Sequence, residues 1–176
     1  MRGEASVDSA LVRFHAGVAP DDRGRRIQEI LNWGDDRLES VHDYIQWLFP
    51  LPERSAFNPG APVLTQTDIA AFRRPELRAS LEAAFRRMLD FYGFEAVESE
   101  GEMRIIRSRQ FSRQAANWLN AGNHNLLRIS RILRSLTLLG LEPEGRAFLA
   151  ALEALYDGEG AQIGAVPLSY WREAVR

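Results

Sequence analysis

A chain of 176 residues, 45% hydrophobic and 26% charged, is long enough for one domain burying roughly two thirds of its unfolded surface. Its 22 basic and 24 acidic residues leave a net charge of -2, which excludes whole-molecule attraction to nucleic acid or anionic lipid and leaves only a local patch for such binding. Cysteine is absent, so disulfides, cysteine-ligated zinc, iron–sulfur centres and thiol catalysis are excluded together.

No apolar run approaches the ~20 residues that span a bilayer, and the first eight residues lack the apolar core of a signal peptide. The expectation is a soluble, cytoplasmic, single domain over residues 1–176. All 22 basic residues are arginine. Clustered arginine would suit bidentate recognition of carboxylates or phosphates. Here it is scattered and accompanied by abundant alanine, which favours a GC-rich coding genome.

In chain order, residues 1–20 read as a weakly ordered arm until Leu11, Val12 and Phe14, an apolar cluster suited to docking. Asp21 and Asp22 are placed to cap a helix carrying Ile27, Ile30 and Leu31. A second helix, starting at Asp35 or Ser40, includes Val41, Tyr44, Ile45, Leu48 and Phe49 and stops at Pro50. Pro50, Pro52, Pro59 and Pro62 mark an ordered loop, with Phe57 and Val63 expected to pack back on the body. Thr65 and Asp68 form a capping-box pattern for a short helix through Phe72.

Pro75 opens the clearest helix, with Leu77, Leu81, Ala84, Phe85, Met88 and Tyr92 on one face and Gly93 as its stop. Glu82 and Arg86 lie four apart on the opposite side. Residues 94–107 predict a loop with at most a short hairpin. A helix over 110–119 and the turn 120–123 precede a long helix from His124 to Leu139. Its stripe is Ile129, Ile132, Leu133, Leu136 and Leu139, with Leu127 and Leu138 on the far side, as in a helix contacted on two faces. A helix through Phe148, Leu152 and Tyr156, then a loop and a last helix from Ser169, complete an all-α fold.

The common chemical signatures are missing. His15, His42 and His124 are far apart, no zinc-binding helix motif occurs, and no glycine-rich phosphate loop or nucleophile elbow is present. No catalytic residues, metal or cofactor are expected. Arg104, Arg107, Arg109, Arg113, Arg128, Arg131 and Arg134 occupy a stretch without Asp or Glu, which suits an anion, a phosphate backbone or an acidic peptide and is the surface that an anion- or nucleic-acid-binding factor, or a cryptic enzyme, would use. The plainer alternative is that the acidic segments 95–102 and 142–144 fold over it as ion-pair partners. The three arginines of the long helix drift around its axis, which disfavours nucleic acid.

The block Asp43-Tyr44-Ile45-Gln46-Trp47-Leu48-Phe49-Pro50-Leu51, preceded by Ile30-Leu31-Asn32-Trp33, resembles the conserved region of the opioid growth factor receptor family. Met88-Leu89-Asp90-Phe91-Tyr92-Gly93, Asn117-Trp118 and the run from His124 to Leu136 extend the resemblance in matching order over residues 11–156. The resemblance implies a receptor-like, non-enzymatic module. Vertebrate members bind the opioid pentapeptide Met-enkephalin, restrain cell growth and associate with the nuclear envelope and nucleus. Peripheral membrane association enters only by that analogy. It carries no catalytic set. The tail repeats and lysine-rich localisation signals of those members are not in this sequence, and the lysine-free composition points to a bacterium, where the pentapeptide is not the expected ligand.

Two blocks concentrate hydrogen-bonding groups. His42 and Gln46 are one helical turn apart beside Trp47. Residues 117–128 hold Asn117, Trp118, Asn120, Asn123, His124, Asn125 and Arg128, followed by Arg131. As a site for a peptide or protein partner, the set is His42, Gln46, Trp47, Asn117, Trp118, His124, Asn125, Arg128 and Arg131, with Asn117, Trp118 and Arg128 partly free after the helix start is capped. As architecture, the same groups knit turns to helices. In that reading the 44–49 and 129–139 helices pack together at the centre.

Overall fold

The computed structural model describes residues 7–176, the side chain of Ala161 apart. It is mostly helical, with one two-stranded antiparallel sheet. The chain divides into two compact units, residues 1–80 and 81–176.

In the first unit, α1 (Ala10–His15) is capped by Ser9, whose hydroxyl accepts from the Val12 N–H. Leu11, Val12 and Phe14 are buried, so the expected apolar cluster docks as part of a helix. The rest of the expected arm, residues 1–6, lies outside the described residues. Asp21 and Asp22 do not cap α2 (Ile27–Leu31), whose N-cap is Arg26. Asp21 instead folds the preceding turn: its Oδ1 accepts from the Arg23 and Arg25 N–H groups, each at 2.9 Å.

The single helix expected up to Pro50 is broken into α3 (Asp35–Ser40) and α4 (Ile45–Leu48). Val41 turns extended at ψ 133°, and the Tyr44 hydroxyl donates 2.8 Å to the Leu38 carbonyl left at the end of α3. A buried phenol thus satisfies a helix end that would otherwise need another partner. In the proline loop that follows, Phe57 is 83% exposed and Val63 is also exposed, contrary to the packing expected of them. α5 (Gln66–Ala71) carries both bonds of the Thr65–Asp68 capping box, and the Ser9 hydroxyl donates 2.6 Å to the same aspartate.

α6 (Pro75–Tyr92) begins in the first unit and continues into the second. Its six anticipated apolar residues are all buried, and Glu82 and Arg86 pair at 2.9 Å. The chain leaves α6 through Gly93 at φ +89°. A Cβ there would sit 2.7 Å from the Phe111 Cα and 3.1 Å from the Gln114 Cβ. Gly93→Ala therefore combines left-handed strain with a backbone clash, and about 2–3 kcal/mol of lost stability is expected in denaturant unfolding.

Residues 94–107 form a regular hairpin, within the short hairpin that the sequence allows there: β1 (Phe94–Ser99) pairs antiparallel with β2 (Glu102–Arg107). Its two-residue turn has positive φ at both Glu100 and Gly101, 55° and 81°, the arrangement that matches strand twist in tight hairpins.

α7 (Phe111–Trp118) and the 119–123 turn lead into α8 (His124–Leu138). Asn123 caps α8 by accepting 2.9 Å from the Asn125 N–H. The core stripe of α8 is buried, but Leu127 is 51% exposed, so the expected second contact face fails at that residue. α9 (Glu142–Glu159) packs against α8 and β2, starting earlier than its apolar spacing suggested because Pro143 serves in its first turn. A 3-10 turn over Gly160–Gln162 precedes α10 (Ala165–Ala174), and the Trp171 indole N–H donates 3.0 Å to the Leu126 carbonyl of α8. The core of this unit is aromatic. Phe94 meets Phe111 at 5.2 Å and Phe148 at 5.8 Å between centroids, and Tyr92 meets Trp118 at 5.3 Å.

Candidate functional site

His42, Gln46 and Trp47 belong to the first unit; Asn117, Trp118, His124, Asn125, Arg128 and Arg131 belong to the second. In the first, α4 is short and buried along its whole length. The Trp47 indole packs edge-on to Phe14 at 5.3 Å and donates 3.1 Å to Asp22 Oδ1. Gln46 is also buried, and the Asn58 amide donates to its Oε1 at 3.5 Å and to the Asp43 carbonyl at 3.4 Å. The proline loop is thereby tied to the start of α4. His42 stands exposed just before that helix.

Around this block runs an ion-pair network that residue spacing alone does not single out. Arg25 bridges Asp21 at 2.7 Å and Asp43 at 2.8 Å, and Arg23 reaches Asp43 at 3.4 Å. Burial lowers the Arg25 pKa, but bonds to the two aspartates more than offset it, so the net direction is up. The guanidinium groups of Arg25 and Arg37 also lie 5.4 and 4.2 Å from the Trp33 ring centre.

His15, passed over in the sequence, is nearly fully buried. Its ring contacts Phe14 and Phe72 edge-on. Nε2 lies 2.9 Å from the Trp47 carbonyl, which can only accept, so Nε2 carries the proton. Nδ1 then accepts from the Ser80 hydroxyl at 3.2 Å. Burial lowers the His15 pKa to about 4, with bonds to backbone groups at Trp47 and Leu48 opposing. The residue is readable in hindsight: Leu11, Phe14 and His15 fall at i, i+3 and i+4 on the buried face of α1.

In the second unit, Trp118 is fully buried and donates 3.1 Å to the Tyr92 carbonyl. It is a core residue and not partly free as its position in the polar block suggests. Asn125 is buried too; its Oδ1 takes the Tyr92 hydroxyl at 3.5 Å and Arg128 Nη1 at 3.4 Å. Asn123 secures the turn by donating 3.0 Å to the Asn117 carbonyl. Asn117 and His124 are exposed, Arg131 is half-buried, and Arg128 is 6% exposed. Truncating so buried a cation strips the charged donor from Asn125. Arg128→Ala is expected to cost about 1–3 kcal/mol in thermal or denaturant unfolding.

The arginine-rich stretch divides in the same way. Arg107 pairs with Glu159 at 3.0 Å and covers the Phe111 ring at 4.5 Å. Among the described residues, the acidic segment 95–102 makes no ion pair with the stretch, and Glu142 pairs with Arg146 instead. Among the described residues, the alternative in which those two segments neutralise the stretch is not realised. No group of three or more potential metal ligands is found among the described residues. Among them, too, no helix is long and apolar enough to cross a membrane.

Residues 9–176 match the opioid growth factor receptor (OGFr) conserved region. The chain belongs to that family. It is 42% identical over 161 residues to the opioid growth factor receptor of Rattus norvegicus, covering 87% of this chain and 27% of the relative. The Homo sapiens protein of the same name is 40% identical over 158 residues, covering 85% and 23%. The opioid growth factor receptor-like protein 1 of Xenopus tropicalis is 39% identical over 140 residues, covering 77% and 27%. The chain thus spans about a quarter of the length of these family members. No solved structure matches. The blocks that carry the resemblance hold the buried groups just described: Trp47 in the first, Trp118 in the third, Asn125 and Arg128 in the fourth.

Proposed function

We propose that the chain is a non-enzymatic binding module for a peptide or protein partner, acting in signalling from the cytoplasm of a bacterium. The observation that carries this reading is the match of residues 9–176 to the conserved region of proteins named as receptors. The geometry is compatible with a scaffold built to present a surface. Gln46, Trp47, Trp118, Asn125 and Arg128 are buried in internal contacts, while His42, Asn117 and His124 present their side chains at the surface. The bacterial assignment rests on 22 basic residues that are all arginine.

Panning the purified chain against a displayed random-peptide library tests the proposal. The expected result is a set of peptides whose binding persists as salt is raised to physiological strength. Recovery only of polyanions, released steeply by salt, would replace it with the anion-binding alternative on the 104–134 arginines. If neither class binds, the module reading is wrong.

A further inference from the structure

The hairpin of the second unit has an open side. Because its turn contains two residues, Ser99 and Glu102 form the hydrogen-bonded closing pair, and bonded pairs alternate from there. The Val97–Arg104 and Glu95–Ile106 pairs are bonded, and the 2.8 Å bond from the Ser108 N–H to the Gly93 carbonyl continues that alternation. The backbone groups of Ala96 and Glu98 therefore point away from β2. Neither residue has any other hydrogen bond among the described residues.

A hollow of about 190 Å³ lies between α6 and the start of β1. Arg86, Leu89 and Asp90 of α6 and Phe94, Glu95 and Ala96 of β1 line it, and no residue of β2 does. It has an apolar floor in Leu89, Phe94 and Ala96, and space for one side chain. Of its charged lining residues, Arg86 is taken up by Glu82 at 2.9 Å and Asp90 lies 3.5 Å from Arg87, whereas Glu95, like Glu98 farther along β1, is exposed and has no ion-pair partner among the described residues.

We propose that the outer edge of β1 receives an extended, basic peptide segment, which adds to the hairpin as a third strand. This rests on the reading of the chain as a peptide-binding module and gives that reading a mode. Main-chain bonds to Ala96 and Glu98 supply the pairing, the hollow takes one side chain, and the glutamates select for lysine or arginine. A second copy of the chain is the poorer occupant, because two such edges would set Glu95 and Glu98 against their like.

The probe is a labelled peptide alternating lysine with threonine and valine, long enough to cover the six residues of β1. It is compared with the same peptide N-methylated on alternate amides, and with a version carrying glutamate for lysine. Binding is followed by fluorescence anisotropy and by amide hydrogen exchange on the intact chain. The expected result is exchange slowed by about tenfold or more at Ala96 and Glu98, with affinity lost by a similar factor on N-methylation and abolished by glutamate. Ala96→Pro removes an N–H that the hairpin does not use, so it should retain the melting temperature and lose the peptide. The N-methylated peptide gives the same answer on the unaltered chain if that variant fails to fold.

Equal binding of the N-methylated peptide, or protection of the same amides by self-association alone, overturns the proposal. Absence of probe binding, or protection confined to other residues, overturns it too. In those last two cases library peptides that bind elsewhere still support the module, whereas a library without binders removes both readings.

Discussion

Trp47→Ala is expected to destabilise the chain by on the order of 3 kcal/mol in denaturant unfolding. The indole is 4% exposed, so its removal leaves a large cavity that its neighbours can refill only partly. Phe14 loses its edge-on partner, and Asp22 loses the N–H that donates at 3.1 Å. The Trp47 carbonyl also accepts a hydrogen bond from the His15 Nε2–H, so any shift of α4 into the void is felt by a second buried group. Trp47→Phe should recover most of the apolar contact without the Asp22 bond, and so fall between the two. A Trp47→Ala protein as stable as the parent would mark the residue as a surface contact.

The second large effect is acid sensitivity through His15. Its pKa is about 4 in the folded chain and 6.5 as an ordinary histidine. The unfolded chain therefore takes up a proton more readily, and falling pH favours unfolding. Stability from this group is complete above pH 6.5, declines between 6.5 and about 4, and then levels off. At 1.36 kcal/mol per pH unit, the decline is on the order of 3 kcal/mol. The cause is dehydration of the imidazolium between Phe14 and Phe72, with Nδ1 committed to the Ser80 hydroxyl. His15→Leu should lack this step while keeping the acid response of the carboxylates. Unfolding curves for both proteins across that pH range provide the check, and parallel profiles would show that His15 titrates normally.

What could be read from the sequence was local chemistry. Thr65 and Asp68 announce a helix start through their own reciprocal bonds, and Pro75 and Gly93 bracket α6 through backbone constraints they carry themselves. The break between α3 and α4 was hidden, because Val41, Tyr44, Ile45 and Leu48 keep a helical spacing across it. Its cause is a phenol reaching back to Leu38, a tertiary contact with no sequence period. The hairpin is legible only as an allowance, since Glu100 takes positive φ without being glycine. At the candidate site, residue type identified the polar stock but not its allocation. Trp118 carries a donor suited to a site, yet its N–H is spent on the Tyr92 carbonyl, and Phe57 has the side chain of a core residue yet stands exposed. Burial depends on where distant segments arrive, and spacing carries no record of that.

The placement of the four indoles has a practical consequence. Trp33 and Trp47 lie in the first unit, and Trp118 and Trp171 in the second, all of them buried. Each half thus contains its own intrinsic fluorophores, in distinct electrostatic surroundings. Two arginines flank Trp33, Trp47 donates to a carboxylate, and Trp118 and Trp171 donate to carbonyls. Variants retaining the pair of only one half, with phenylalanine at the other two positions, would report the melting of that half without any attached dye. Coincident emission transitions would establish that the halves unfold cooperatively, and separated ones would resolve an intermediate with one half intact.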